Sequence, residues 1–443
     1  MKLYRYSILV IAAIMLILPV DALSQKEWTL EECIQYALDN NINIKRQEVR
    51  ADQSSNNHKQ AWLDLLPSAS ASFTHSNRFG KSLNEDTYEY VNEQFQYGSG
   101  GAGADLNLFN GWESINMIKM RRYEMLAQLE QIEEARYNVT MNIVTYYLMV
   151  LSAIEQKNIR EEQLAVTLEQ IEQVQQQIEV GKKARGELLE IKAQAASERA
   201  DLTRAKNDLT MAYVDLAQLM NLDSVDQFRV RVPKQLEVSK EQPVKETDSV
   251  YSEAVKDFPT IQMAAYQLEG AKKNLKVTKG DFYPQLSLTS QISSYYSELA
   301  PLSNWEQFRE ANVRSYIGLT LRIPLFNQLN KFTRVANAKL DVQNNKLMLE
   351  EQKQNLYKDI QRARNEAIAA YENYQANLEA VESYEEAFNY AEERYEVGLV
   401  DAVQYRIAKN DLSRARSNVA NSKYNFIFKM KILEFYMGQE MQL

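Results

Sequence analysis

The stretch Val313-Arg314-Ser315-Tyr316-Ile317-Gly318-Leu319-Thr320-Leu321-Arg322-Ile323 alternates. Val313, Ile317, Leu319, Leu321 and Ile323 share one parity, and Arg314, Tyr316, Gly318, Thr320 and Arg322 the other. Period two marks a strand with one apolar face. Pro324 stops the alternation and Leu325-Phe326-Asn327 follows. The same tripeptide stands at Leu108-Phe109-Asn110, 217 residues earlier, and is entered by Ala102, Ala104 and Leu106 alternating with Gly103, Asp105 and Asn107. Upstream of each lies a partner stretch. Leu286, Leu288 and Ile292 face away from Ser287, Thr289, Gln291 and Ser293, and Ala69, Ala71 and Phe73 face away from Ser68, Ser70, Ser72 and Thr74. Each stretch runs about 10 residues, the span of a tilted membrane strand. An ordinary sheet half-buried under a helix fits the same pattern.

The offset of 217 is general. Pro67 returns as Pro284, Glu179-Val180-Gly181 as Glu396-Val397-Gly398, Met220 as Met437, and Ala37 as Ala254. A constant register over almost 200 residues predicts two tandem copies of one unit. The expected division is a targeting segment at residues 1–24, a first repeat at 25–222, a charged connector at 223–249 and a second repeat at 250–443. Each copy reads as a helical segment (about 30–65 and 251–281), two strands separated by a polar loop, then a very long helical region.

Those helical regions are nearly free of breakers. Between Gly111 and Pro233 there is no proline, and only Gly181 and Gly186 interrupt. After Leu325 there is no proline, and only Gly398 and Gly438. Apolar residues recur every seven positions at Ile118, Met125, Ile132, Val139, Tyr146 and Ala153. A second ladder runs through Leu129, Ile143, Val150, Leu164, Ile171 and Ile178. A period of seven winds neighbouring helices about each other with left-handed supercoil. About 70 residues at ~1.5 Å each predict a helix on the order of 100 Å. Gly181 and Gly398 stand where such a helix must reverse, so each copy is expected to form a long helical hairpin with its tip at Val-Gly.

The 443 residues carry 13 Gly and 8 Pro, 51 basic against 60 acidic side chains, one Cys and two His. Gly plus Pro is about 5%, less than half the usual ~12%, as long helices require. A net charge of −9 implies no phosphate-neutralising surface, so nucleic acid is not an expected partner. One cysteine and two histidines leave no disulfide framework and no multi-cysteine or multi-histidine metal site, and no cofactor is implied. At the N-terminus Lys2 and Arg5 precede an apolar run from Ile8 to Leu18, and Ala22-Leu23-Ser24 offers a cleavage site. No cysteine stands at that cut, so lipid attachment is not expected there. Beyond it no stretch approaches the ~18 apolar residues of a membrane helix. A membrane part would therefore be made of strands.

Tempting motifs dissolve on spacing. Gly98-Ser99-Gly100-Gly101-Ala102-Gly103 lacks the Lys-Ser/Thr of a phosphate loop and opens a strand-like stretch. Its small residues are expected to leave room for a neighbouring strand. Asn138-Val139-Thr140 fits a glycosylation triplet inside a helix. Glu133-Glu134, Glu385-Glu386 and Glu392-Glu393 diverge around a helix rather than forming dyads. His75 is expected near a loop, His58 on a helix, and Cys33 as a small buried helix residue. No nucleophile–base pair emerges, so no catalysis is expected. Tyr88, Tyr90, Tyr97, Tyr295, Tyr296 and Trp305 gather around the strands, where a membrane reading makes them an interfacial girdle.

Four strands cannot close a membrane barrel, since the smallest use eight, and open edges in lipid are prohibitive. A membrane reading thus demands several chains. The signal peptide, Leu-Leu-Pro or Tyr-Pro before a strand, Leu-Phe-Asn after the second strand and Glu-Val-Gly at a hairpin tip together resemble the TolC-like outer-membrane efflux family. The resemblance covers essentially the whole mature chain. It implies a mostly α fold with a β membrane part: a homotrimer whose twelve strands form a barrel in outer-membrane lipid, continued by an α-helical coiled-coil tunnel in the periplasm. It also implies an exit duct for a tripartite efflux or type I secretion system, working with a periplasmic adaptor and an inner-membrane pump.

Residue by residue, Val180, Gly181, Val397, Gly398 and Leu399 match the adaptor-docking tips. The carboxylates that in the family narrow the duct lie six and nine residues past the second tip glycine, but here those positions hold Gln404 and Ile407. Glu187 and Glu190 occupy the equivalent places in the first copy, and Asp401 lies closer to the tip. Any acidic constriction thus falls among Glu187, Glu190, Asp401 and Gln404, and Glu187 and Glu190 also read as solvated acids of a first helical turn. A periplasmic coiled-coil scaffold or adaptor with a soluble sheet is the other reading open to the residues.

Overall fold

A computed structural model describes residues 27–83, 87–92, 94–222, 225, 228–233, 246–326 and 329–438. The expected signal peptide and most of the connector lie outside the described residues, as does Asn327. In chain order the elements are β1 (Glu27–Trp28), α1 (Leu30–Asn40), α2 (Ile42–Leu63), β2 (Ser68–Arg78), β3 (Lys81–Leu83), β4 (Tyr90–Asn92), β5 (Phe95–Asn110), α3 (Glu113–Glu179) and α4 (Arg185–Met220). They continue as β6 (Arg229–Val230), α5 (Thr247–Asp257), α6 (Pro259–Gly280), β7 (Gln285–Ser297), β8 (Arg314–Arg322), α7 (Asn330–Glu396) and α8 (Ala402–Tyr436). A helical turn at Asn304–Glu306 running into a π-helix at Gln307–Ala311 fills the loop between β7 and β8. The fold is mostly helical.

Helices α3 and α7 are each 67 residues long and start 217 positions apart, as do α4 and α8. The expected segments 30–65 and 251–281 are each two helices. The breaks fall at Asn41 and Phe258, again 217 apart, with ψ near 125° in both. At Phe258 the cause is Pro259, which disfavours helical backbone in the residue before it. At Asn41 the side chain replaces the helix bonds, donating to Leu219 O at 3.0 Å and accepting from Asn43 N–H at 2.9 Å.

The chain forms two compact units, and each draws on both halves of the sequence. Among the described residues, one comprises those up to Arg46, within Glu134–Asp257 and from Asn355 onward. Its helices pack through narrow seams: Ala367 and Ala370 meet Phe426 and Met430, and Leu164 meets Ala195 and Leu202. Ile143 and Val150 of the heptad ladder are fully buried. Helix α1 opens on a capping box, with Thr29 Oγ1 accepting from Glu32 N–H and Glu32 from Thr29 N–H. Its buried stripe is Leu30, Cys33 and Ala37. β1 pairs in parallel with β6, and the buried Tyr147 hydroxyl donates to Arg231 O at 2.7 Å beside that pair.

The second unit comprises Gln47–Glu133 and Phe258–Gln354. Its centre is an antiparallel sheet of order β2-β5-β7-β8, an up-and-down meander in which β2 and β8 are the edges. The strands run 11, 16, 13 and 9 residues, so β5 and β7 exceed the expected 10. The register gives the sheet two unlike faces. Ala71, Ala102, Ile292 and Ser315 share one row, and Phe73, Leu106, Leu288, Ile317, Leu319 and Leu321 lie on that same face. The other face carries Ser70, Ser72, Gly101, Asp105, Thr289, Gln291, Tyr316 and Thr320. Leu129 of the second heptad ladder is exposed rather than packed.

Register and crowding place three of the features singled out around the sheet. His75 lies in β2 close to its loop end, its Nδ1 2.7 Å from the Tyr296 hydroxyl. Gly98 and Gly100 sit inside β5, where a Cβ would collide with the rings of Tyr296 and Phe308. That crowding requires glycine and agrees with the room expected there for a neighbouring strand. Tyr97 and Tyr295 do not join the apolar face; they stack on each other at 6.1 Å on the polar one.

Candidate functional site

Both hairpin tips close by the same chemistry. Helix α3 ends as Gly181 N–H donates to Ile178 O and Lys182 N–H to Gln177 O, at 3.0 and 2.8 Å. Helix α7 ends as Gly398 N–H donates to Tyr395 O and Leu399 N–H to Arg394 O, at 3.1 and 2.8 Å. This is the Schellman arrangement, which needs a left-handed residue after the helix. Gly181 and Gly398 supply it with φ of +75° and +78°. Three large apolar side chains crown these turns without cover. Val180, Val397 and Leu399 are about 70% exposed, at 69%, 71% and 69%. Leu189 and Ile407, near the starts of α4 and α8, are exposed as well.

Polar groups just inside the tips join the two hairpins. Lys183 Nζ donates to Glu187 Oε1 and to the Tyr395 hydroxyl, each at 2.6 Å, and that hydroxyl donates in turn to Glu187 Oε1. Lys183 and Glu187 belong to the first hairpin and Tyr395 to the second. The Tyr395 ring stacks on the buried Tyr405 at 4.9 Å. Burial, and then the Glu187 carboxylate, push the Tyr395 hydroxyl well above the ordinary tyrosine range. Burial also pushes Tyr405 up, with Glu392 adding to it.

The residues expected at a constriction have separate engagements. Asp401 caps α8, accepting from Gln404 N–H at 2.8 Å. Gln404 itself is exposed. Glu187 is held by the link just described. Glu190 is exposed and lines a small pocket with Tyr405 and Arg406. Glu187 therefore meets the second hairpin, and Asp401 meets Gln404 through its cap.

Deeper between α3, α4 and α8 lies a buried polar cluster that the sequence did not flag. Glu198 and Lys409 are 2% and 9% exposed and face each other at 4.0 Å. Thr167 bridges them, donating to Glu198 Oε2 and accepting from Lys409 Nζ, both at 2.5 Å. Gln163 and Gln194 donate to Glu198 Oε1 at 3.2 and 2.9 Å. Burial lowers the Lys409 pKa, with Glu198 opposing that shift. A signal for the tip link was available in the repeat. At 217 positions' offset Tyr395 faces Ile178 and Glu187 faces Gln404, so the copies diverge where the link forms.

A family model described as "Outer membrane efflux protein" matches residues 33–222 and 250–439. Outer membrane protein TolC of Escherichia coli strain K12 is 22% identical over 367 residues, covering 76% of this chain and 74% of that protein. Cation efflux system protein CusC of Escherichia coli O157:H7 is 23% identical over 407 residues, covering 88% and 82%. A membrane protein of known structure from Pseudomonas aeruginosa superposes with a TM-score of 0.78 at 16% identity, covering 93% of this chain and 91% of its own.

Proposed function

This chain belongs to the outer membrane efflux protein family, and from that premise we propose that it is the passive exit duct of a tripartite efflux or type I secretion system. It is an outer-membrane protein of a Gram-negative cell, where no nucleotide or ion gradient is at hand, so the driving energy comes from an inner-membrane pump. Within the duct reading, residues 25–222 and 250–443 are two versions of one building block, joined by the connector at 223–249.

The observation that carries the reading is the two-faced sheet. Ile317 and Leu319 are 76% and 65% exposed on its apolar face. A soluble sheet would need an element covering that face, whereas lipid covers it without one. Exposed aromatics bracket the strands. Trp112, Tyr283 and Phe326 stand at the helix-proximal ends, and Tyr88, Tyr90 and Trp305 stand in the loops. That is where membrane barrels place their interfacial belts.

The free edges β2 and β8 decide the assembly. In a four-strand meander β8 runs antiparallel to β2, so the β8 of one copy can pair with the β2 of the next without reversing direction. Two copies would give eight strands, whose interior side chains fill. Three copies, with twelve strands, are the smallest set that leaves a duct. The exposed tips Val180, Gly181, Val397, Gly398 and Leu399 then form the docking surface for a periplasmic adaptor. The constriction falls near Glu187, Glu190, Asp401 and Gln404, where a ring of carboxylates would focus the field of a narrow pore on cations.

The test is fractionation followed by native mass measurement and conductance in a planar bilayer. The expected result is an outer-membrane species of three chains that dissociates only on heating and conducts ions. A monomer in the periplasmic extract would overturn the reading.

A further inference from the structure

The polar face of the sheet is unevenly charged, and its charge is organised. Among the described strand residues that face carries three arginines, Arg78, Arg314 and Arg322, against one carboxylate, Asp105. Asp105 lies mid-strand, its Oδ1 accepting from Thr289 Oγ1 at 2.8 Å. The chain as a whole is acidic at −9, so a basic surface here runs against the composition.

At the loop end of the sheet, one residue from each strand enters a continuous ladder. Arg78 of β2 lies over the Tyr97 ring of β5 with its guanidinium carbon 3.7 Å from the centroid. Tyr97 stacks on Tyr295 of β7 at 6.1 Å with the rings 20° apart. Arg314 of β8 lies 5.9 Å from the Tyr295 centroid. The nearby carboxylate of Glu298 is held by the backbone N–H of Gln96 at 2.9 Å. A guanidinium resting on a ring keeps the N–H donors along its edge available to an anion, and its planarity suits stacking as well.

We propose that this ladder is a binding ring for planar aromatic anions at the outer mouth of the duct, and that it favours the export of such solutes. The inference rests on the duct reading, in which the polar face lines the lumen. Three copies would then place six arginines and six tyrosines around one mouth. A narrow pore walled by low dielectric concentrates the counter-ions of its lining charge. Stacked rings add affinity for flat solutes of either charge, and the arginines select the anionic ones.

The experiment uses the purified channel in a planar bilayer, with pyrene tetrasulfonate added on the loop side and hexamminecobalt(III) as the cationic counterpart. Wild-type channels should be blocked by the sulfonate from that side, whereas any block by the cation belongs to the acidic constriction and should not weaken in the arginine variants. Half-block of the Arg78→Gln/Arg314→Gln pore should need at least about tenfold more sulfonate, equivalent to about 1.4 kcal/mol. Tyr97→Leu/Tyr295→Leu should weaken sulfonate block while leaving the charge preference of the open pore. Arg322→Gln, at the other end of β8, should leave block from the loop side unchanged. The inference is overturned if the sulfonate does not block wild-type channels from the loop side, if the double arginine variant is blocked like wild type, or if Arg322→Gln weakens block equally. A wild-type protein that never conducts would instead sink the duct reading itself. A retained unheated three-chain band shows that each variant has assembled.

Discussion

Glu198 and Lys409 face each other at 4.0 Å among packed helices, each largely withdrawn from water. A buried pair of this kind adds little net stability, because desolvation offsets the attraction, but removing one partner strands the other charge. Glu198→Ala should therefore cost about 3–5 kcal/mol, read as a fall in the chemical-denaturation midpoint. The double change Glu198→Met/Lys409→Met should recover most of the loss. A single variant as stable as wild type would show that water already reaches the pair. The tip link makes a different prediction, one about pH. The Tyr395 pKa is raised in the folded chain by burial and by Glu187. Its contribution is then whole below the ordinary tyrosine value of ~10 and is lost only as pH rises through the raised one. Spin labels on the two hairpins should hold one distance from pH 7 to about 10 and separate only as pH rises through the raised value. Tyr395→Phe should broaden the distance distribution throughout. A wild-type distance that changes below pH 9 would show that some other group holds the hairpins together.

Each tip is a helix end, and the backbone there limits what a mutation can test. A β-branched residue at Gly398 would be strained at φ +78° whatever partner docks, by about 1–2 kcal/mol. Loss of adaptor binding in Gly398→Val would thus not separate contact from folding. Asn tolerates the left-handed region, and a Cβ at Gly398 meets nothing within 4 Å. Gly398→Asn should keep the three-chain assembly and the turn, yet reduce cross-linking of an adaptor to Leu399→Cys or Val397→Cys neighbours. Unchanged cross-linking would mean that the docking surface lies elsewhere. The elements themselves were legible because their signals are local. Period two marked the strands, period seven the seams, and Gly181 and Gly398 the reversals. The breaks at Asn41 and Phe258 were less so, since the first depends on a bond to Leu219 that is distant in sequence. The Glu187–Tyr395 link and the Glu198–Lys409 pair were illegible for the same reason. Each joins helices more than 200 residues apart, and in sequence each member looks like one more charged or aromatic residue on a long helix. The face on which Tyr97 and Tyr295 stand was not legible, because register with Ser76 and Ser99 decides it, not composition.

At the scale of the whole molecule two strand edges govern the assembly. β2 and β8 each present a row of backbone N–H and C=O groups with no strand beside them in the sheet, and in hydrocarbon such an edge is far too costly to leave open. Closure between copies satisfies them, and the meander's even strand count lets it repeat with constant polarity. Counting copies is therefore a direct test of the closure. Ser72→Cys on β2 and Thr320→Cys on β8 place one thiol on each edge of the polar face. The native Cys33 is fully buried in α1 and adds little background. Membranes treated with a flexible bis-maleimide should give a ladder of one, two and three chains that stops at three, because a closed ring has no free edge left. Either single-cysteine variant should stay largely monomeric on the same gel. A ladder that continues past three would indicate an open array. One that stops at two would leave an eight-stranded barrel with no room for a duct, and the exit-channel reading would have to be given up.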